Sequence, residues 1–204
     1  MRTHLIALSA LGITAVSPAA SASVIEIAFQ FLDLEYDGSV ITTPGGLPDE
    51  LDAVTFRVDG VTVGTITTDV FADVSIPVVL PAPSSIPGSS TATSGTGDFD
   101  LTFGTEFLDL TVDEVEVTYF DSGSIKFVFG AEVGASIDGQ SLPFGLELAD
   151  PIEVSFSTQI DSGDFTGFTA SGTGEVQGIP EPSAMLLALA ALGVAVAPTR
   201  RRAR

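Results

Sequence analysis

Apolar residues recur at every second position along most of the chain between residues 23 and 178. At its start Ile25, Ile27, Phe29 and Phe31 are separated by Glu26, Ala28 and Gln30. A period of two places such residues on one face of a β-strand. No part of this region shows a helical period, so the sequence predicts an all-β body whose first strand turns Ile25 to Phe31 toward a core.

One hairpin is predicted around Asp59-Gly60, which lies between alternating segments at 54–58 and 61–63. Asp-Gly is a strong turn dipeptide because both central residues of a type I′ turn adopt positive φ. A two-residue loop pairs apolar with apolar and polar with polar residues, so turn and register agree. The predicted pairs are Val58 with Val61, Arg57 with Thr62, and Phe56 with Val63.

A second hairpin is predicted around Asp121-Ser122-Gly123, between 114–119 and 125–129. Two- and four-residue loops would mix the two faces, whereas a three-residue loop with Gly123 left-handed keeps them apart. The predicted pairs are Tyr119 with Ile125, Thr118 with Lys126, and Val117 with Phe127. The predicted core residues are Val115, Val117, Tyr119, Ile125, Phe127 and Phe129.

Further short strands are predicted at 70–79, 98–103, 106–112, 142–148, 152–160 and 165–171. Asp138-Gly139 and the segment 161–164 would supply turns between the later strands. The Pro-, Ser-, Thr- and Gly-rich stretch from Pro81 to Gly97 is predicted to be a long surface loop, either bare or O-glycosylated. Together these features predict a single antiparallel β-sandwich or jelly-roll-like domain, with helices confined to the two chain ends.

Composition excludes several function classes. Residues 23–182 hold all 27 acidic residues but only two cations, Arg57 and Lys126, so their formal charge is −25. Nucleic acid is therefore not an expected partner, because phosphate binding needs the opposite sign. The only histidine is His4, and there is no cysteine. The body thus lacks a Ser-His-Asp or Cys-His arrangement and the usual zinc ligands, and no enzyme activity is expected.

Three groups of carboxylates are candidate Ca²⁺ ligands, because hard oxygen atoms suit that ion. Asp98 and Asp100 would share one face of a strand, and Asp161 and Asp164 flank a Ser-Gly turn. A third group approaches Gly38 and consists of Asp33, Glu35 and Asp37. None fits an EF-hand loop, and so acidic a chain forms such clusters by chance. No cofactor is therefore expected, although Ca²⁺ stays open, and no carboxylate pair is marked as that of a glycosidase.

The N-terminus has the organisation of a secretory signal peptide. A short polar start is followed by an apolar stretch from Leu5 to Val16 and by the small residues Ala20-Ser21-Ala22. This pattern predicts a cleaved signal over residues 1–22 and an exported mature chain.

The C-terminus has three parts: Pro180-Glu181-Pro182, an uncharged stretch from Ala184 to Ala197, and a basic end. The stretch of fourteen residues would span about 21 Å as a helix, short for a bilayer core of about 30 Å. The basic residues would hold the end in the cytoplasm. They are Arg200, Arg201, Arg202 and Arg204. The tail 179–204 thus predicts a transmembrane helix with the body outside the inner membrane, either as a simple anchor or as a processed signal.

This order of Pro-Glu-Pro, apolar span and terminal arginines resembles the PEP-CTERM sorting signal of bacteria. The resemblance covers about the last 26 residues and implies processing by exosortase, a membrane enzyme, followed by transfer to the cell surface or extracellular matrix of exopolysaccharide-producing bacteria. A short, alanine-rich span with Pro198-Thr199 departs from the pattern. The bodies of that family are diverse, so no catalytic residue carries over.

Two functions are compatible with these observations. The first is a structural or adhesive component of the envelope or matrix. The second is a Ca²⁺-dependent carbohydrate-binding or carbohydrate-active domain, against which the scarcity of tyrosine and tryptophan weighs mildly. Exopolysaccharide is a possible partner in either case.

Overall fold

The computed structural model describes residues 23–83, 86–130 and 135–178, without the side chains of 89–94 and 129–130. The predicted signal peptide 1–22 and the predicted tail 179–204 lie outside these ranges. The described residues belong to one compact unit. Its strands are β1 Ile25–Tyr36, β2 Val40–Thr42, β3 Asp49–Glu50, β4 Ala53–Val58, β5 Val61–Ile66, β6 Val70–Pro77, β7 Gly88–Phe103, β8 Glu106–Tyr119, β9 Ser124–Gly130, β10 Ala135–Ser141, β11 Ile152–Asp164 and β12 Gly167–Gly178. Two 3₁₀ turns, Pro44–Gly46 and Pro143–Gly145, are also present.

The prediction of an all-β, antiparallel body is confirmed. Eight strands form a closed sheet in the order β1-β2-β6-β7-β8-β9-β11-β12, and β12 pairs back onto β1. The β4–β5 hairpin is attached to β1, β3 to β6, and β10 to β8. The predicted sandwich is wrong, because β12 pairs along its length with both β11 and β1, so one sheet curls round and encloses the core.

The core lies inside this closed sheet and is rich in phenylalanine. Phe99 of β7 is in ring contact with Phe29 of β1 and with Phe156 of β11, at centroid distances of 5.7 and 6.1 Å. Phe127 of β9 contacts Phe156 at 5.0 Å. These four side chains are almost fully buried. Because they come from strands all round the closed sheet, their burial connects its opposite sides.

The first predicted hairpin is confirmed at its turn and corrected further along. Asp59 and Gly60 have φ of 51° and 76°, and Val58 pairs with Val61 and Arg57 with Thr62. A bulge then shifts the register, so Phe56 pairs with Gly64 rather than Val63. The reason is steric: Gly64 lies under the ring of Phe144, which leaves no room for a side chain. Val63 is instead 44% exposed.

The second predicted hairpin has the expected register, with Tyr119 opposite Ile125 and Val117 opposite Phe127. Its loop of three residues is closed by a hydrogen bond from the Phe120 N–H to the Ser124 carbonyl at 3.0 Å. Gly123 is not left-handed, contrary to the prediction. An aspartate makes the turn instead, because the Asp121 carboxylate accepts the Gly123 N–H at 2.7 Å. Five of the predicted core residues are buried: Val115, Val117, Tyr119, Ile125 and Phe127. The side chain of the sixth, Phe129, is not among those that the structure describes.

Phe31 does not face the core, contrary to the alternation at the start of β1. It is 60% exposed, has a φ of 62°, and occupies a bulge between Gln30 and Leu32 in the pairing with β12. The sequence explains this, since two alternating series run out of phase along the strand. Ile27 and Phe29 belong to the first and Leu32, Leu34 and Tyr36 to the second, and all five are buried. One extra residue must therefore be bulged out where the series meet.

Four other predictions need correction. The Pro81–Gly97 segment is not a loop throughout, because Gly88–Thr93 pairs with the second half of the long strand β8. The segment 142–148 is a 3₁₀ turn with irregular flanks rather than a strand. Asp138-Gly139 lies at a bulge inside β10. The segment 161–164 belongs to the end of β11, whose turn to β12 is formed by Phe165-Thr166.

Candidate functional site

Three aspartates lie side by side on the outer face of three neighbouring strands. Asp73 of β6 is directly opposite Asp100 of β7, and Asp100 is directly opposite Asp109 of β8. Their neighbours along each strand are buried. Alternation therefore turns the three carboxylates outward. We refer to Asp73, Asp100 and Asp109 as the acidic row.

Other polar groups flank the acidic row. The buried Thr43 hydroxyl donates to the Asp73 carboxylate at 3.3 Å. Asp98 lies two residues before Asp100 on the same face of β7, opposite Thr111 of β8. The Thr111 hydroxyl donates to the Asp138 carboxylate of β10. The negative charge thus extends from β6 to β10.

The acidic row perturbs the ionisation of its central member. Partial burial raises the pKa of Asp100 to about 6, with further contributions from the negative charges of Asp109, Asp98 and Asp73. A hydrogen bond from the backbone of Leu110 opposes the change. Like charges directly opposite each other in a sheet are unfavourable. At neutral pH the charge on Asp100 therefore destabilises the folded protein, and Asp100 takes up a proton as the pH falls toward 6.

The sequence predicted only part of this arrangement. Asp98 and Asp100 do share the outer face of one strand, as expected from their spacing. Asp73 and Asp109 were missed. A signal for Asp109 exists in Gly104-Thr105: a two-residue loop there pairs Phe103 with Glu106 and thereby brings Asp100 opposite Asp109. The β6–β7 connection is longer, so no local pattern places Asp73 beside Asp100.

The prediction that these carboxylates bind Ca²⁺ stays a prediction. Within the described ranges, no group of three or more histidine, cysteine, aspartate or glutamate residues is arranged to hold a metal ion. The acidic row concentrates negative charge, and Asp100 within it binds a proton more tightly than an ordinary exposed aspartate does.

The second candidate group, Asp161 and Asp164, lies at the exposed end of β11. The Asp164 carboxylate accepts both the backbone N–H and the hydroxyl of Thr166, at 2.8 and 2.6 Å. These two bonds lower the pKa of Asp164, the hydroxyl contributing most. Asp164 thus closes the β11–β12 turn, and Asp161 follows Ile160 where the register with β12 shifts.

The third candidate group lies along the end of β1. Glu35 and Asp37 line a cavity of about 370 Å³, together with Tyr36 and Gly45. Glu35 accepts the Gly45 N–H at 3.0 Å. Asp37 accepts the hydroxyl and N–H of Ser39 and the N–H of Val40, and these bonds lower its pKa, the hydroxyl first.

Asp33, the remaining member of that group, does not join the cavity. Its backbone N–H donates to the Asp49 carboxylate at 2.8 Å. Glu35 and Asp37 thus each hold a turn beside β2, whereas Asp33 contributes only its backbone N–H, to Asp49 of β3. The structure does not bring the three carboxylates together as a single site.

The residues of the predicted sorting signal are not described by the structure. They are Pro180, Glu181, Pro182, Arg200, Arg201, Arg202 and Arg204. The predicted span Ala184–Ala197 also lies outside the described residues. In the part of the chain that is described, no helix has the length and apolar character needed to cross a bilayer.

Comparison with known proteins gives no match: no family model, no curated protein and no solved structure is significantly similar to this chain.

Proposed function

We propose that this chain is an exported protein of the bacterial envelope or extracellular matrix, and that its C-terminal tail is a sorting signal removed by an exosortase-type membrane enzyme. The body, residues 23–178, then acts as a structural or adhesive surface component rather than as an enzyme. The observation that carries the proposal is the position of the two residues that close the sheet.

Ile25, the first residue of β1, pairs with Gly178, the last residue of β12. Ile25 also pairs with Val58, and Gly178 with Ile152, so both positions have neighbours on two sides. The predicted signal peptide ends three residues before Ile25, and Pro180 follows two residues after Gly178. The sheet is thus closed by residues that both proposed cleavages would leave in place, which is what removable end segments require.

The charge of the body supports a location away from bare anionic lipid. The body, residues 23–178, holds 26 acidic residues and two cations, and its formal charge of −24 keeps it soluble and repels it from anionic membrane surfaces. The tail supplies the attachment that such a body cannot make by itself. Divalent cations are attracted to this negative charge, and uncharged surface polymers are not repelled by it.

The test is intact-mass analysis of the protein released from the surface of the native bacterium. The expected product begins near Ser23, ends near the Pro-Glu-Pro tripeptide and lacks Arg200 to Arg202. A strain without the exosortase-type enzyme should keep the full tail and retain the protein in the membrane fraction.

A pair of variants separates recognition of the motif from membrane insertion. Glu181→Ala changes the motif, and Pro198→Ala changes a residue beyond the span; the first should block processing and the second should not. A released product that still carries the arginines, or equal processing of both variants, would contradict the proposal.

A further inference from the structure

A polar groove lies on the outer face of the closed sheet, on strands other than those of the acidic row. It crosses β1, β12, β11 and β9 and has a volume of about 350 Å³. The side chains that line it carry hydroxyl, amide, carboxylate and ammonium groups. They are Gln30, Thr173, Ser157, Lys126, Glu175 and Ser155.

The register of the strands orders these side chains in two parallel lines. Gln30 pairs with Thr173, Thr173 with Ser157, and Ser157 with Lys126. The second line holds Ala28, Glu175 and Ser155. Directly paired residues share a face. In the first line the hydroxyl groups of Thr173 and Ser157 therefore lie between the amide of Gln30 and the ammonium group of Lys126. In the second line the Glu175 carboxylate lies between Ala28 and the Ser155 hydroxyl.

Two glycines of β12 explain why the sheet is indented at this point. A Cβ at Gly172 would collide with the carbonyl oxygen of Ser157, and one at Gly174 would meet that of Ser155 and the ring of Phe29. Glycine within a strand marks a bend or a close approach of backbones. Here it lets β12 lie close against β11, and the short side chains of Ser155, Ser157 and Thr173 stand on the outer face beside the glycines.

Ser155 has a hydroxyl that nothing in the described structure satisfies. The residue is 4% exposed, yet its hydroxyl forms no hydrogen bond with any described residue. Buried polar groups without a partner are rare in native proteins and call for a missing water or ligand. The hydroxyl lies in the lining of the groove, so a molecule bound there would supply the partner.

The two charged side chains of the groove are also unengaged. Among the described residues the one ion pair joins Arg57 and Glu26, and neither Lys126 nor Glu175 takes part in it. They lie on β9 and β12, with β11 between them, which separates the backbones by about 10 Å. One cation and one anion make the groove locally neutral on a strongly negative protein.

We propose that this groove binds a neutral saccharide segment without the help of a metal ion. Sugar hydroxyls both donate and accept hydrogen bonds, which matches a lining that combines serine and threonine hydroxyls with an amide, an ammonium group and a carboxylate. The groove crosses four strands, which at the usual strand spacing is about 14 Å and accommodates more than one sugar ring. An extended peptide fits less well, because the backbones of the four strands are already paired and offer no free edge. This proposal goes beyond the structural role and does not depend on tail processing.

The experiment is isothermal titration calorimetry of the full chain in a detergent without a sugar headgroup. The probes are cellotriose, maltotriose and the trimer of N-acetylglucosamine, with trigalacturonate as the anionic comparison, each with and without EDTA. At least one neutral trimer should bind, unchanged by EDTA and more tightly than trigalacturonate. No binding of any neutral trimer, tighter binding of trigalacturonate, or loss of binding in EDTA would each overturn the proposal.

Variants locate the site. Lys126→Gln and Thr173→Val each remove groove hydrogen bonds and should weaken binding of the neutral trimer at least about tenfold. Thr102→Val, an exposed substitution on β7, is the matched control and should bind as the unmodified chain does. Equal affinity of all three variants would overturn the assignment.

Ser155→Ala gives a readout that a purely structural role would not produce. Because the hydroxyl has no described partner, its removal should leave the melting temperature of the free protein unchanged or higher. The rise in melting temperature caused by the neutral trimer should become smaller. A lower melting temperature of the free variant, with an unchanged response to the trimer, would show that Ser155 supports the fold and not the ligand.

Discussion

Ile25 and Gly178 face each other in β1 and β12, so the first and the last strand of the body close the sheet together. This relationship makes the fold depend on contacts between residues far apart in sequence. It also places the entry and the exit of the chain at the same end of the closed sheet. The phenylalanine core, the acidic row and the polar groove all belong to this one closed structure.

Gly172→Ala should destabilise the body strongly. A Cβ at this position would collide with the carbonyl oxygen of Ser157 in the paired strand β11, and backbone cannot move aside as a flexible side chain could. We expect a loss of about 2–3 kcal/mol in the free energy of unfolding, measured by urea denaturation. Gly167→Ala on the same strand is the control, because its Cβ would lie 3.4 Å from its nearest neighbour. Equal losses for the two variants would show that the close approach of β11 and β12 is wrong.

Asp100→Asn should stabilise the body at neutral pH. Burial and the neighbouring aspartates raise the pKa of Asp100 from 3.8 to about 6, so the folded state binds the proton more tightly than the unfolded chain. The contribution of Asp100 to stability therefore rises as the pH falls from about 6 toward 4, and its charged form is destabilising at pH 7. After allowance for solvent screening, we expect Asp100→Asn to raise the free energy of unfolding by about 1–2 kcal/mol at pH 7.

The pH dependence is the decisive part of that prediction. The advantage of Asp100→Asn should shrink below pH 6 and vanish near pH 4, as followed by thermal unfolding across this range. Asp113→Asn, an exposed change on β8, removes the same charge away from the acidic row and should have little effect. An advantage that is constant with pH would contradict the electrostatic explanation.

The two tyrosines of the chain hold consecutive residues of the segment that follows β6. The Tyr36 hydroxyl accepts the Leu80 N–H at 2.9 Å, and the Tyr119 hydroxyl donates to the Pro81 carbonyl. Tyr36→Phe and Tyr119→Phe should each cost about 1–2 kcal/mol, because each leaves a backbone group without its partner. The double variant should cost less than the sum, since both bonds fix one segment. Strictly additive losses in urea denaturation would argue against this shared role.

Burial raises the pKa of Tyr119 to about 12. In Tyr36→Phe, Tyr119 is the one remaining tyrosine, so phenolate absorbance reports on it alone. Because burial is the larger cause of the raised pKa and Tyr36 the smaller, we expect this absorbance to rise clearly above the ordinary value of about 10 even without Tyr36. A rise near 10 in the folded protein would show that the Tyr119 hydroxyl is exposed.

Local sequence patterns predicted the local parts of the fold. Asp59-Gly60 and the loop 121–123 allowed the strand pairs next to two hairpin turns to be predicted. Turn residues and alternation determine the pairing of strands over a few positions on either side of a turn. Bulges were not predictable from a single alternating series. Phe31 could have been identified as a bulge only by noticing that the residues on either side of it alternate out of phase.

Closure of the sheet could not be predicted in this way, because it depends on pairing between β1 and β12 across nearly the whole body. Antiparallel strands that alternate correctly fit a sandwich as well as a closed sheet. The candidate sites depended on the same long-range register. Asp98 and Asp100 were found from their own spacing, whereas Asp73 and the groove around Ser155 arise only when distant strands meet.

The most direct test of the account is deletion of residues 179–204, leaving Gly178 as the last residue. Because Ile25 and Gly178 remain, the circular dichroism spectrum should match that of the full chain. The free energy of unfolding from urea denaturation should agree within about 0.5 kcal/mol. In the bacterium the deleted protein should still be exported but should leave the membrane fraction and fail to reach the surface. A truncated chain that no longer unfolds cooperatively, or that reaches the surface as before, would contradict the claim that the tail is a removable sorting segment.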